Sequence, residues 1–220
     1  VTGIWFKVGY LMSSQIFAGD ISGSVTIQCP NVAGTNVLTL PLSNGLIPGE
    51  MIYRLNTSLT GTQVLTAQSV LGVGITLNSG TVYQFEGFYA LSKTVGAVTH
   101  TIGYGFGGTA TLNNITYTRG WGYSVTSFAA PLTAAGQLQV AGFVQTANST
   151  SFPSEGAATA SMYWMVPFKG TVSVNVGGTF IPQYTLSADP GGAYTTAAGS
   201  YFKISPIAAS VGSVNIGGWA

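Results

Sequence analysis

The sequence predicts an all-β protein: an antiparallel, jelly-roll-like β-sandwich with a short N-terminal β-hairpin or anchor segment. Three observations carry this. Apolar residues recur with period two, turn residues punctuate the chain at strand-length intervals, and no long stretch shows the 3.6-residue period of a helix. Many short alternating segments with turns between them fold as sandwiches or barrels.

The first 46 residues read as a separate β segment, an anchor or shaft. "ISGSVTIQCPNVAGTNVLTLPLSNG" (21–45) is hairpin-like and poor in large aromatics, whereas the chain after "IPGE" (47–50) is aromatic-rich. A boundary near 45–48 therefore separates residues 1–46 from a sandwich head at 47–220. Within the head, "TVYQFEGFYAL" (81–91) places Tyr83, Phe85, Gly87, Tyr89 and Leu91 on one face and Val82, Gln84, Glu86, Phe88 and Ala90 on the other. Residues two apart share a face of a strand. "TVSVNV" (171–176) aligns Val172, Val174 and Val176 in the same way. Residues 129–137, "AAPLTAAGQ", are broken by Pro131 and Gly136 and read as a loop or a single helical turn.

Gly103, Gly105 and Gly108 spell G-x-G-x-x-G, the spacing of a dinucleotide site. Such a site needs a helix after the glycines, so that its N-terminus faces the pyrophosphate. Here Thr109 to Tyr117 follow, rich in Thr, Ile and Tyr, with no acidic residue about twenty positions on. "VGGTFIPQYTL" (176–186) repeats the element. Both Gly-Gly pairs are expected to turn the chain between antiparallel strands by adopting φ > 0.

Only eleven of 220 residues are charged, 5% of the chain with net charge +1, against about 25% in ordinary domains. No field steers nucleic acid toward such a chain. No run approaches the eighteen apolar residues of a membrane helix, and 46% apolar content argues against disorder. A surface with so few charges is poorly protected from self-association, so much of it is expected to lie against other subunits. Val1 is read as a trimmed or excised start, because neither an initiator Met nor a signal peptide stands there. Cys29 has no second cysteine to pair with and is read as a small buried apolar side chain.

No cofactor, metal or catalytic residue is assigned. One histidine, His100, and one cysteine cannot build a zinc site without several carboxylates, and His100 is read as a polar-face strand residue. A Ser-His-Asp arrangement would need His100 with Asp20 or Asp189, and no G-x-S-x-G elbow accompanies it. Glycoside hydrolysis needs two facing carboxylates. Asp20, Glu50, Glu86, Glu155 and Asp189 are dispersed, and Glu86 is expected to pair with Arg54 or Lys93. Asn56, Asn114 and Asn148 begin glycosylation tripeptides of the kind that Asn/Ser/Thr-rich chains contain freely. "RGWGYS" (119–124) reads as a glycine-flanked loop tip, which makes Trp121 and Tyr123 the candidate surface-contact residues, with core packing as the competing reading.

"GSVTIQCPNVAGTNVLTLPLSNG" (23–45) resembles a β segment of bacteriophage tail-fibre and related virion proteins. The stretches 53–77, 80–117 and 177–207 resemble, in their texture, the C-terminal head modules of fibre-like phage structural proteins. The resemblance implies a non-enzymatic virion structural protein on the exterior of the particle. It also implies a homotrimer that contacts other capsid or tail proteins, with host-surface glycan as a further partner. Nucleic acid and membrane insertion are not expected. The alternatives are a capsid decoration (cement) protein and a glycan-binding or glycan-degrading adhesin.

Overall fold

The structure, a computed structural model, describes residues 49–130, 159–210 and 212–213 in full, and the strand segments 14–18, 24–28, 138–146 and 155–157 by their backbone. Val1, Trp5, Asp20, Cys29, Asn148, Trp219, the expected boundary at 45–48 and most of the 129–137 loop lie outside the described residues. The chain divides into two compact units, Val1–Leu42 and Ser43–Ala220.

The first unit contributes β1 (Ser14–Ala18) and β2 (Ser24–Gln28), an antiparallel pair with Ile16 opposite Thr26. The second unit contains β3 (Met51–Arg54), β4 (Leu59–Thr60), β5 (Gln68–Ser69), β6 (Ile75–Leu77), β7 (Thr81–Lys93), β8 (His100–Gly107) and β9 (Thr111–Ser124). It continues through β10 (Leu138–Thr146), β11 (Glu155–Ala157), β12 (Met162–Val176), β13 (Gly178–Leu186), β14 (Thr195–Thr196) and β15 (Tyr201–Ala209). All pairings are antiparallel, and no helix occurs among the described residues.

Two sheets form this unit. One has eight strands, running β10-β9-β12-β7-β14-β4, with β15 also on β7 and β3 on β15. The other has five, running β11-β8-β13-β5, with β6 also on β13. Their inner faces meet through aromatic rings. Phe85 of β7 lies 5.2 Å, centroid to centroid, from Phe106 of β8, which stacks on Phe180 of β13 at 4.5 Å. Phe168 and Phe202 stack on the same cluster from the eight-stranded side. The protein is an antiparallel β-sandwich, as the sequence predicts.

The alternation in β7 holds along its whole length: Tyr83, Phe85, Gly87, Tyr89 and Leu91 are buried, while Gln84 and Glu86 are exposed. In β12 it breaks. Val172 and Val174 are buried, but irregularities in the pairing with β9 turn Val176 outward to 54% exposure. A bulge inserts an extra residue and resets which face the following side chains take, a shift that the valine spacing does not announce.

The glycine pairs also differ from expectation. Gly107-Gly108 joins β8 to β9 and Gly177-Gly178 joins β12 to β13, and in each case the two strands belong to different sheets. Both turns are therefore arches across the sandwich. Gly108 has φ +113°, a region that favours glycine, but Gly177 and Gly178 do not have positive φ. Gly178 is needed for close approach instead: a Cβ there would lie 2.6 Å from the Thr109 hydroxyl.

Candidate functional site

Five of the eight described charged side chains, Glu50, Arg54, Glu86, Lys169 and Lys203, occupy the outer face of the eight-stranded sheet or its edge. Strand register places them together. Lys169 of β12 lies opposite Glu86 of β7, and Glu86 lies opposite Lys203 of β15. Lys203 Nζ is 2.8 Å from Glu50 Oε2 and 3.5 Å from Glu86 Oε1. The hydrogen bond from Lys203 to Glu50 is the main cause holding this lysine above the usual range. Glu86 thus pairs with Lys203, and neither with Arg54 nor with Lys93. Arg54 is spent locally on the Asn56 side chain at 2.8 Å. Two carboxylates do converge, but on one shared ammonium, in an open recess of about 220 Å³ lined also by Gln84 and Ser205.

Lys93 and Arg119 go inside, which the sequence does not signal. Lys93 ends the inner face of β7, and its Nζ donates to the carbonyls of Val95, Gly96, Thr159 (2.9 Å) and Ala160. Backbone oxygens replace water around the charge, and burial pushes the ammonium below the usual lysine range. Arg119 is 1% exposed, with its guanidinium 4.6 Å from the Trp121 ring centroid and 5.3 Å from that of Tyr104. Cation–π contacts of this kind grow stronger when desolvated.

Trp121 and Tyr123 are accordingly not at a loop tip. Residues 119–124 complete β9, with Gly120 opposite Val140 and Gly122 opposite Leu138 in β10. Trp121 is buried beneath Arg119, and Tyr123 is half-buried, with its ring 5.4 Å from Trp164. Glycines next to aromatics leave room for large rings in a strand as readily as they form a loop, and tertiary pairing made the choice here.

His100 is likewise buried, on the inner face of β8. Its Nδ1 lies 2.7 Å from the Val98 carbonyl, which can only accept, so Nδ1 carries the proton. Nε2 then accepts from the Tyr194 hydroxyl at 2.8 Å. Burial raises Tyr194 to about 12. This bond ties Tyr194, just before β14, to β8, in keeping with a structural histidine. Among the described residues no group of three or more His, Cys, Asp or Glu is placed to hold a metal.

A second surface feature is apolar. Between β3 and β15 on one side and Leu71–Ile75 on the other, a cavity of about 280 Å³ opens onto Phe202 and Ile204 of the core. Exposed Ile52, Tyr53 and Val73 rim it. No helix among the described residues is long and apolar enough to cross a membrane. The chain matches no family model, no curated protein and no solved structure.

Proposed function

We propose that this chain is a non-enzymatic structural protein of a bacteriophage virion, of fibre or fibre-head type, which works assembled with copies of itself on the exterior of the particle. The phage assignment rests on the resemblance of residues 23–45 and of the later segments to fibre proteins, and that resemblance also carries the trimer. Host-surface glycan, contacted through loops between strands, is the partner expected in this reading.

The observation that carries the assembled state is the distribution of charge. Apart from the outer-face group and Asp189, the described charged side chains are buried. The remaining described surface exposes Tyr53, Val64, Leu65, Val73, Val95, Val98 and Val125. Surfaces so short of charge and dotted with large apolar groups associate in water. The two converging carboxylates sit in an open recess around one lysine, an arrangement suited to an ion pair more than to attack on a glycosidic bond.

Light scattering on the purified chain tests the assembled state. A trimer mass is expected, and a stable monomer at micromolar concentration would overturn it. Antibody labelling of particles tests the place. Label on the tail supports a fibre, whereas label over the head lattice favours the decoration-protein reading.

A further inference from the structure

The eight-stranded sheet has an open edge at β3, which among the described strands pairs only with β15. Leu55, just past β3, turns its backbone toward that neighbour: its N–H donates to Ser200 O and its carbonyl accepts from the Gly199 N–H. Backbone groups of successive residues alternate sides in an antiparallel pair, so those of Ile52 and Arg54 turn away from β15. An edge of this kind is a template for another strand unless proline, lysine or a bulge blunts it. β3, Met-Ile-Tyr-Arg, contains neither proline nor lysine, and Ile52 and Tyr53 are 61% and 43% exposed.

We infer that β3 pairs edge to edge with β3 of a second copy, antiparallel about a two-fold axis at Ile52, which rests on the reading above that the protein works assembled. The stretch Glu50-Met51-Ile52-Tyr53-Arg54 complements itself when reversed. Ile52 meets Ile52 of the second copy and exchanges both N–H to carbonyl bonds with it. Glu50 then faces Arg54 of the second copy, and Met51 faces Tyr53 of the second copy. Symmetry makes each contact twice.

The charges are free to serve. Arg54 is bound to neutral oxygens, those of the Asn56 side chain and the Leu55 backbone, and has no carboxylate partner among the described residues. Lys203 holds Oε2 of Glu50, which leaves Oε1 for the guanidinium. The inner face benefits as well. Met51 and Tyr53 lie opposite Ile204 and Phe202 and line the apolar cavity of about 280 Å³ at this edge. Tyr53 of the second copy, set beside Met51, adds apolar cover at its mouth.

The register is specified. A slip of one residue turns every side chain to the wrong face, and a slip of two parts Glu50 from Arg54 on both sides. An isologous contact of this kind joins bodies in pairs and does not close a ring of three. In a trimer it would join one trimer to another.

The test compares the association constants of the wild-type chain, Arg54→Glu, the swap Glu50→Arg/Arg54→Glu and Ile52→Pro by sedimentation, with circular dichroism and a thermal melt to confirm folding. Arg54 is exposed, and the Ile52 N–H faces away from β15, so neither single change disturbs the ladder inside the chain. Arg54→Glu sets like charges opposite each other twice and is expected to weaken pairing roughly tenfold. The swap is expected to restore it, and Ile52→Pro to abolish it. Mild oxidation of Cys29→Ser/Ile52→Cys is expected to yield a disulfide-linked pair, since the two new cysteines meet on the axis. Association that is indifferent to all these variants, with no such disulfide, overturns the edge contact and leaves the assembled reading standing. A wild-type chain that stays monomeric at every concentration overturns both.

Discussion

Thr109 and Thr179 hold each other reciprocally. The amide N–H of each donates to the side-chain hydroxyl of the other at 3.0 Å, and the two hydroxyls are 3.2 Å apart. Each threonine follows a Gly-Gly pair, so the sequence repeat Gly-Gly-Thr is also a spatial pair. The arches run in opposite senses: β8 to β9 leads from the five-stranded sheet to the eight-stranded one, and β12 to β13 leads back. The clasp therefore fixes the spacing of the two sheets at one end of the sandwich, with Ala110 N–H donating to Thr179 O at 3.0 Å as a third bond.

Thr179→Val is expected to cost about 1 kcal/mol, the net worth of a typical hydrogen bond, because the valine keeps the shape and loses the acceptor. The same change at Thr109 should cost a similar amount, and the double mutant should lose less than the two together, since both remove one shared unit. Urea unfolding of the three variants measures this. Gly108→Ala should be worse than either, because its Cβ would meet Thr179 O at 2.2 Å on top of the positive φ.

Stability is expected to fall steeply in alkali. Burial raises the hydroxyls of Tyr89, Tyr117, Tyr184 and Tyr194, with Tyr184 and Tyr194 at about 12. An unfolded chain releases these protons near pH 10 while the folded one keeps them. Their contribution is thus complete below about pH 10 and is lost as pH rises toward 12. Lys93 works the other way, since its lowered value makes folding easier as pH rises past it, but one lysine opposes four tyrosines. Chemical melts across this range, followed with tyrosinate absorbance, should show ionisation arriving together with unfolding. Tyrosine titration that completes near pH 10 without loss of structure would contradict the burial.

Lys93→Met should destabilise by about 2–3 kcal/mol, because it strands buried carbonyl oxygens that the ammonium now satisfies. The opening should be local as well as global. Amide exchange at 94–99 is expected to rise more than exchange in the centre of β7. An unchanged exchange pattern would mean that the lysine holds nothing there.

Tyr89→Phe should leave stability unchanged or raise it by about 1 kcal/mol. The Tyr89 hydroxyl is buried without a hydrogen-bond partner, while its ring packs on Phe168 at 4.5 Å. Removing an unsatisfied polar atom and keeping the ring avoids a desolvation cost. A clear loss in a thermal melt would reveal a partner for this hydroxyl.

Much of the fold is legible in the residues. The alternation of 81–91 gives both faces of β7 correctly, because Tyr and Phe at every second position leave a strand no other way to bury them. The two Gly-Gly-Thr copies are visible as a repeat, but their pairing is not, since residues 109 and 179 are brought together only by the crossing of two arches. The site is far less legible. Lys203 lies more than a hundred residues beyond Glu86 in sequence, and only the β15–β7 register makes them neighbours.

By itself the sequence determined that this protein is built of antiparallel strands and that its surface is almost free of charge, because period and composition are local properties that every fold of the chain must respect. Only the tertiary structure decided which of the few charges go inside, where Lys93 and Arg119 are held by carbonyls and rings, and which gather on one outer face. The reason is that a charge's cost depends on what surrounds it, and those surroundings come from residues far away along the chain.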